Sequence, residues 1–203
     1  MVKHIIQSAG SILKEEYFKN HSSMEKTRYD LVTECDTKIE EFIIAKLRKH
    51  FPDHSIYSEE CGFLDGCSNR KWILDPIDGT ADFIFGVPYC AISLCLEENS
   101  KIIEAYVYNP ISDEFYYSIE SEKKSFFNNS QIMANYNDTI SDALIAFGFS
   151  ANYTNINKYY SKWKRIFENC KKGMPLIGCE FKFGQTGLDK ISQPSTTNGP
   201  ACA

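Results

Sequence analysis

Two aspartates three residues apart, with a proline between them, sit in the run Trp72-Ile73-Leu74-Asp75-Pro76-Ile77-Asp78-Gly79-Thr80. The apolar residues before Asp75 read as a short strand, which fixes the acids at the end of a sheet. Asp-Pro-x-Asp-Gly taken alone is ordinary β-turn chemistry, because Asp offers a side-chain acceptor and Pro presets φ. Gly79 and Thr80 add what a plain turn lacks. Glycine lets backbone approach an anion closely, and N–H groups opening a helical turn at Ala81-Asp82-Phe83 point outward toward one. Asp75, the Ile77 carbonyl and Asp78 are hard oxygen donors that can converge from one rigid segment, which suits Mg2+.

Ser55-Ile56-Tyr57-Ser58 reads as a second strand, delivering Glu59 and Glu60. If it lies beside the strand ending at Leu74, Glu59 joins the two aspartates. Three carboxylates within about 5 Å repel by about 3 kcal/mol per pair at an effective dielectric near 20, so such a grouping calls for a cation. Two ions held this way can clamp a phosphate and activate water, and the Thr80 hydroxyl can hydrogen-bond that water. The constellation points to a metal-dependent phosphatase. Rival phosphate motifs are absent: there is no GxxxxGK[ST], GxGxxG or GxSxG, and Gly184-Gln185-Thr186-Gly187 is too short and lacks the lysine.

The surrounding pattern is α plus β. Ile5, Ile6, Ala9, Ile12, Leu13 and Tyr17 recur at helical spacing over residues 2–19. Residues 21–29 are polar and read as a loop, and residues 30–33 as a short extended segment. Asp36 is a good N-cap for a second helix that buries Ile39, Phe42, Ile43 and Leu47 and stops before Pro52. Residues 90–97, 102–108 and 114–119 read as an antiparallel meander with helices on one side, followed by a strand and turn at 126–130, a strand at 143–149 and a helix at 156–170. Residues 192–203 read as a loose tail.

The 203 residues are 43% hydrophobic and 24% charged, with a net charge of −5. Residues 151–203 carry +5, which leaves −10 on residues 1–150 and argues against a nucleic-acid partner. No apolar run is long enough for a membrane span. Glu15 and Glu16 come early and no signal-peptide core precedes them, so the expected location is cytoplasmic. The eight cysteines are scattered without a CxxC pair. Cys90 and Cys95 read as small core hydrophobes. Pro52 breaks the helix that would align His50 with His54 as metal ligands, and all four histidines read as surface residues.

On these residues the chain resembles the inositol monophosphatase family of Mg2+-dependent, lithium-sensitive phosphatases. Asp30-Leu31-Val32-Thr33-Glu34-Cys35-Asp36 is similar to its DLVTxxD segment, and Ser58-Glu59-Glu60 to its GEE segment, with Ser in place of Gly. Residues 72–80 match W-[IV]-[ILV]-DP-[IL]-DGT fully, and residues 83–94, 143–149 and 183–189 continue the likeness, which covers about residues 1–190. The resemblance implies an α+β fold, a layered αβαβα sugar-phosphatase sandwich with a complete N-terminal domain (1–140), a partial C-terminal α/β domain (141–190) and an irregular tail (191–203).

The resemblance also assigns roles. Glu59, Asp75 and the Ile77 carbonyl would hold one Mg2+, Asp75 and Asp78 a second, and Glu59 would face a weaker third. Thr80, backed by Asp36, would orient water for direct attack on phosphorus, without a phosphoenzyme. Asp78 and the Gly79 and Thr80 amides would bind the substrate phosphate. Glu59, Thr80 and Asp36 are thus the catalytic candidates.

Inositol monophosphate is the leading substrate. Nucleotide-type relatives carry Lys after DGT, where this chain has Ala81-Asp82. A nucleotide 3′-phosphatase, a fructose-bisphosphatase and an impaired homologue acting by binding are the alternatives. The expected partner is a small phosphorylated substrate, with neither nucleic acid nor membrane, and the resemblance allows a homodimer. The family's C-terminal W-D-x-A aspartate has no counterpart, since neither Trp72 nor Trp163 precedes Asp, so the expectation is a C-terminally truncated member.

Overall fold

The computed structural model describes residues 1–19, 23–27, 30–133, 144–147, 164, 168 and 172–175. Its chain order begins α1 (Val2–Glu16), β1 (Ser23–Thr27), β2 (Asp30–Thr33), α2 (Glu34–His50), β3 (Ser55–Ser58), β4 (Gly62–Leu64), β5 (Arg70–Asp78) and α3 (Thr80–Ile84). It continues with β6 (Ala91–Glu98), β7 (Lys101–Asn109), β8 (Glu114–Ile119), β9 (Lys124–Phe127), β10 (Ser130–Ile132), β11 (Leu144–Phe147) and β12 (Lys172–Pro175). The fold is a layered α+β arrangement.

Strands β3 to β10 form one eight-stranded sheet in the order β10-β9-β8-β7-β6-β5-β3-β4. The expected meander runs antiparallel from β5 to β10. One pairing in this sheet is parallel, β3 with β5, with Ser58 opposite Leu74. β11 and β12 form a separate parallel pair.

Helices α1 and α2 pack on each other and on one face of the sheet, α2 against β5 and α1 against β7. Ile6 and Leu13 of α1, Ile39, Ile43 and Leu47 of α2, and Ile56, Trp72, Leu74, Ile92 and Leu94 of the sheet are buried in one cluster. Full burial of each such side chain is worth about 2 kcal/mol. Close approach is needed at Gly10, where a Cβ would stand 2.4 Å from the Tyr108 ring. On the opposite face of β6, Ser93 and Cys95 are buried too.

Four sequence expectations change. Residues 23–27 form β1, paired antiparallel with β2, rather than loop; Ser-Met-Glu-Lys-Thr lacks apolar alternation, and cross-strand pairing supplies its order. The N-cap of α2 is Thr33, three residues before Asp36. The strand at 72–74 extends over Arg70–Asp78, so the two aspartates lie within it rather than in a turn beyond it. His54 is buried, stacked on Phe51 at 5.0 Å and tilted against Trp72 at 6.1 Å, while His4 and His50 are exposed. An imidazole presents an apolar face that packs on aromatic rings, which a reading based on polarity alone discounts.

Cys35 and Cys90 are buried free thiols, and Cys95 is buried as well. Of the expected helix at 156–170 only residues 164, which is helical, and 168 are described; the tail and His21 lie outside the described residues, as do the ends of the 143–149 strand, whose centre is β11.

Candidate metal and phosphate site

The pairing of β5 with β6 explains how two acids three residues apart act together. Asp75 lies opposite Ser93 and Asp78 opposite Ala91, so three steps along β5 match two along β6. That extra residue is a β-bulge at Pro76-Ile77. In a regular strand, residues i and i+3 face opposite sides. The bulge cancels the alternation and returns Asp75 and Asp78 to one face. Proline, without an N–H, is at home there.

Glu59 arrives through the parallel pairing of β3 with β5. Its N–H donates to the Leu74 carbonyl at 3.2 Å, one residue before Asp75. Glu59 is exposed, whereas Asp75 is partly buried with Oδ1 sealed from solvent and without a hydrogen-bond partner. The Asp75 carboxyl is pushed well above the usual carboxylate range, first by burial, then by the charges of Asp78 and Glu59, and by a hydrogen bond with Glu59.

Among the described residues, no group of three or more His, Cys, Asp and Glu side chains is set in a metal-holding geometry. The donor set nonetheless fits a hard divalent cation. It consists of oxygens alone, it concentrates negative charge, and one buried carboxylate oxygen has no partner in the protein.

Thr80 and Asp36, 44 residues apart, also meet. The Thr80 hydroxyl faces Asp36 Oδ1 at 3.3 Å and the Ile77 carbonyl at 2.9 Å, and its one hydrogen is shared between these acceptors. Asp36 is locked from the other side, with Oδ2 accepting from the Thr33 N–H at 2.8 Å and the Thr33 hydroxyl at 2.6 Å. In return Thr33 Oγ1 accepts from the amides of Cys35 at 3.1 Å and Asp36 at 3.4 Å, completing a capping box on α2. Burial raises the Asp36 pKa, and the hydrogen bonds from Thr33 and Thr80 oppose that rise.

Gly79 caps the short helix α3 with φ 90° and ψ 39°, a left-handed conformation that glycine adopts without strain. All seven residues singled out from the sequence therefore belong to one region: Glu59 beside Asp75, Asp78 on the same strand face, Gly79 next to it as the cap of α3, and Ile77, Thr80 and Asp36 joined through the threonine hydroxyl.

Sequence reasoning missed Glu40. It is buried, and its Oε1 accepts from the Ser58 hydroxyl, from the Glu60 N–H at 3.2 Å and from the Cys61 N–H at 3.0 Å. The available signal was an acid on the apolar face of α2, four residues after Asp36 and three before Ile43.

Comparison with known proteins bears on the whole arrangement. The model of the inositol monophosphatase family matches residues 2–179. Inositol monophosphatase 3 of Solanum lycopersicum is 35% identical over 144 residues, 69% of this chain and 53% of that protein. The fructose-1,6-bisphosphatase/inositol-1-monophosphatase of Thermotoga maritima is 32% identical over 165 residues, 80% of this chain and 63% of that protein. The chain thus spans between half and two thirds of the length of these curated relatives. Among solved structures, the extragenic suppressor protein suhB from Bartonella henselae superposes with a TM-score of 0.81 at 27% identity, covering 87% of this chain and 69% of that one. No helix among the described residues is long and apolar enough to cross a membrane.

Proposed function

The chain belongs to the inositol monophosphatase family, and from that premise we propose that it hydrolyses a phosphate monoester with the help of Mg2+, inositol monophosphate being the leading substrate. The observation that carries this reading is the parallel β3–β5 pairing, which brings Glu59 to Asp75 just before the bulge that turns Asp78 to the same side.

In this reading Glu59, Asp75, the Ile77 carbonyl and Asp78 hold the cation. Bound Mg2+ would offset charge on the phosphate oxygens and make water more acidic. The Thr33 clamp fixes Asp36, so Asp36 Oδ1 stays available to the Thr80 hydroxyl. With its hydrogen committed to Asp36 or Ile77, the Thr80 oxygen is left as an acceptor that orients an attacking water toward phosphorus. Asp78 and the amides of Gly79 and Thr80 hold the substrate phosphate. The same reading places the metal-binding domain at 1–140 and the beginning of a second domain at 141–190.

A second substrate has a specific argument. The Thermotoga maritima relative is named for both fructose-1,6-bisphosphatase and inositol-1-monophosphatase activity. The test is phosphate release by the full chain from inositol 1-phosphate, fructose 1,6-bisphosphate and adenosine 3′,5′-bisphosphate, in Mg2+ and in chelator, for the wild type and Asp78→Asn. The expected result is Mg2+-dependent release, fastest from inositol 1-phosphate and lost in the variant. Turnover that survives both chelator and Asp78→Asn overturns the site. Mg2+ binding without turnover favours the reading of an impaired homologue that acts by binding.

A further inference from the structure

We propose that Glu40 is the positioning residue for Glu59. The inference rests on the reading of Glu59 as a metal ligand and extends it to a residue outside the family-derived set. Glu40 is 4% exposed and lies on the face of α2 that also buries Ile39, Ile43 and Leu47. An apolar side chain would suit that stripe, and a carboxylate there is costly unless it is hydrogen-bonded. Among the described residues no ion pair includes Glu40.

What the carboxylate receives instead is three donors from one segment: the Ser58 hydroxyl and the N–H groups of Glu60 and Cys61. They bracket Glu59 on both sides. Two successive N–H groups converging on one anionic oxygen form a nest, the arrangement that backbone uses to grip a charge. The Glu59 N–H itself is tied to Leu74 of β5. The backbone that carries Glu59 is therefore fixed to the sheet at one point and to α2 at three. Asp36, one turn earlier on α2, fixes Thr80. One helix thus presents two buried carboxylates at i and i+4, and each sets one half of the site.

Glu40→Asp, Glu40→Gln, Glu40→Ala and the milder Ser58→Ala separate position from charge. The Mg2+ dissociation constant of the full chain is measured by titration calorimetry, with Glu59→Gln as reference, alongside amide hydrogen exchange at residues 60 and 61. Glu40→Asp keeps the charge but falls one methylene short; Glu40→Gln keeps the reach and an acceptor oxygen. Outer-shell partners of metal ligands contribute about 10–100-fold to affinity. Glu40→Asp and Glu40→Ala are expected to weaken Mg2+ about tenfold or more and to speed exchange at both amides. Glu40→Gln and Ser58→Ala are expected to weaken it about threefold or less.

A merely structural Glu40 lowers the melting temperature in folded Glu40→Asp and leaves the Mg2+ constant unchanged, which overturns the proposal. A loss in Glu40→Gln as large as in Glu40→Asp assigns the effect to charge and also overturns it. If Glu59→Gln binds Mg2+ as tightly as the wild type, the metal-ligand reading itself fails and the proposal falls with it. That outcome is distinguishable because the Glu40 variants play no part in it.

Discussion

Asp75→Asn is predicted to make the metal-free protein more stable. Asp75 sits with a sealed, unpartnered Oδ1 beside two further carboxylates, and its pKa is raised by burial and by the charges of Asp78 and Glu59. Like charges about 5 Å apart repel by about 3 kcal/mol at an effective dielectric near 20. The native state either meets this repulsion or holds a proton to avoid it, and with partial exposure asparagine, which does neither, relieves about 2 kcal/mol. Asparagine is nearly isosteric, and its amide can donate to a neighbouring carboxylate. For a chain of this size 2 kcal/mol corresponds to a rise of about 4–8 °C in melting temperature. The effect has a definite sign with pH. The native state retains a proton on Asp75 that the unfolded chain releases, so wild-type stability declines as pH rises from the usual carboxylate range toward the raised native value. Asp75→Asn flattens that decline. With Asp75 as a ligand in the proposed site, saturating Mg2+ is expected to reverse the order, because binding at a hundred times Kd would stabilise the wild type by about 2.7 kcal/mol and the variant would lack that ligand. Melting of both proteins in chelator and in Mg2+ at pH 7.5 is the assay. A variant less stable than wild type in chelator, or an equal Mg2+ shift in both, refutes the reasoning.

Three further outcomes follow from particular contacts. Thr33→Val removes the capping box of α2 and both hydroxyl contacts to Asp36, and is expected to lose about 1–2 kcal/mol in urea denaturation, with Thr33→Ser close to wild type. Thr80→Val keeps the shape but not the hydroxyl; turnover is expected to fall about a hundredfold or more in the phosphate-release assay, while the melting temperature barely moves. Burial, with Arg70 adding to it, holds His54 below its ordinary pKa. The unfolded chain therefore takes up a proton below about pH 6.5 before the native state does, and stability falls as pH drops through that range. His54→Phe retains the stack on Phe51 and Trp72 and is expected to flatten that acid limb in pH-dependent melting.

Sequence spacing located the elements that decide the site, but two of its geometric facts depend on partners that spacing cannot supply. The strands at 55–58 and 90–97 were legible because apolar and β-branched residues recur with few breaks, and the helix around Ile39, Ile43 and Leu47 because its period is helical. The adjacency of Glu59 and Asp75 was conditional on one strand lying beside another, and β3 does lie parallel to β5. The bulge was not legible, since Asp-Pro-x-Asp-Gly reads equally well as a turn; only the shift in register against β6 shows that the strand continues through Asp78. Thr33 lost the N-cap assignment to Asp36 because both residue types cap helices, and the capping box uses both.

The role of Glu40 escaped for a related reason. An acid on an apolar helix face looks like an error in patterning until the amides it satisfies are known, and those amides belong to a turn 20 residues away. The departures from simple pattern thus coincide with the groups that hold the candidate ligands. A strand free of the bulge would turn Asp78 to the opposite face from Asp75, and an apolar residue at 40 would leave the Glu60 and Cys61 amides without their acceptor. Local regularity and convergence of the acids are therefore in competition in this sheet, and the bulge and the buried glutamate are where convergence prevails.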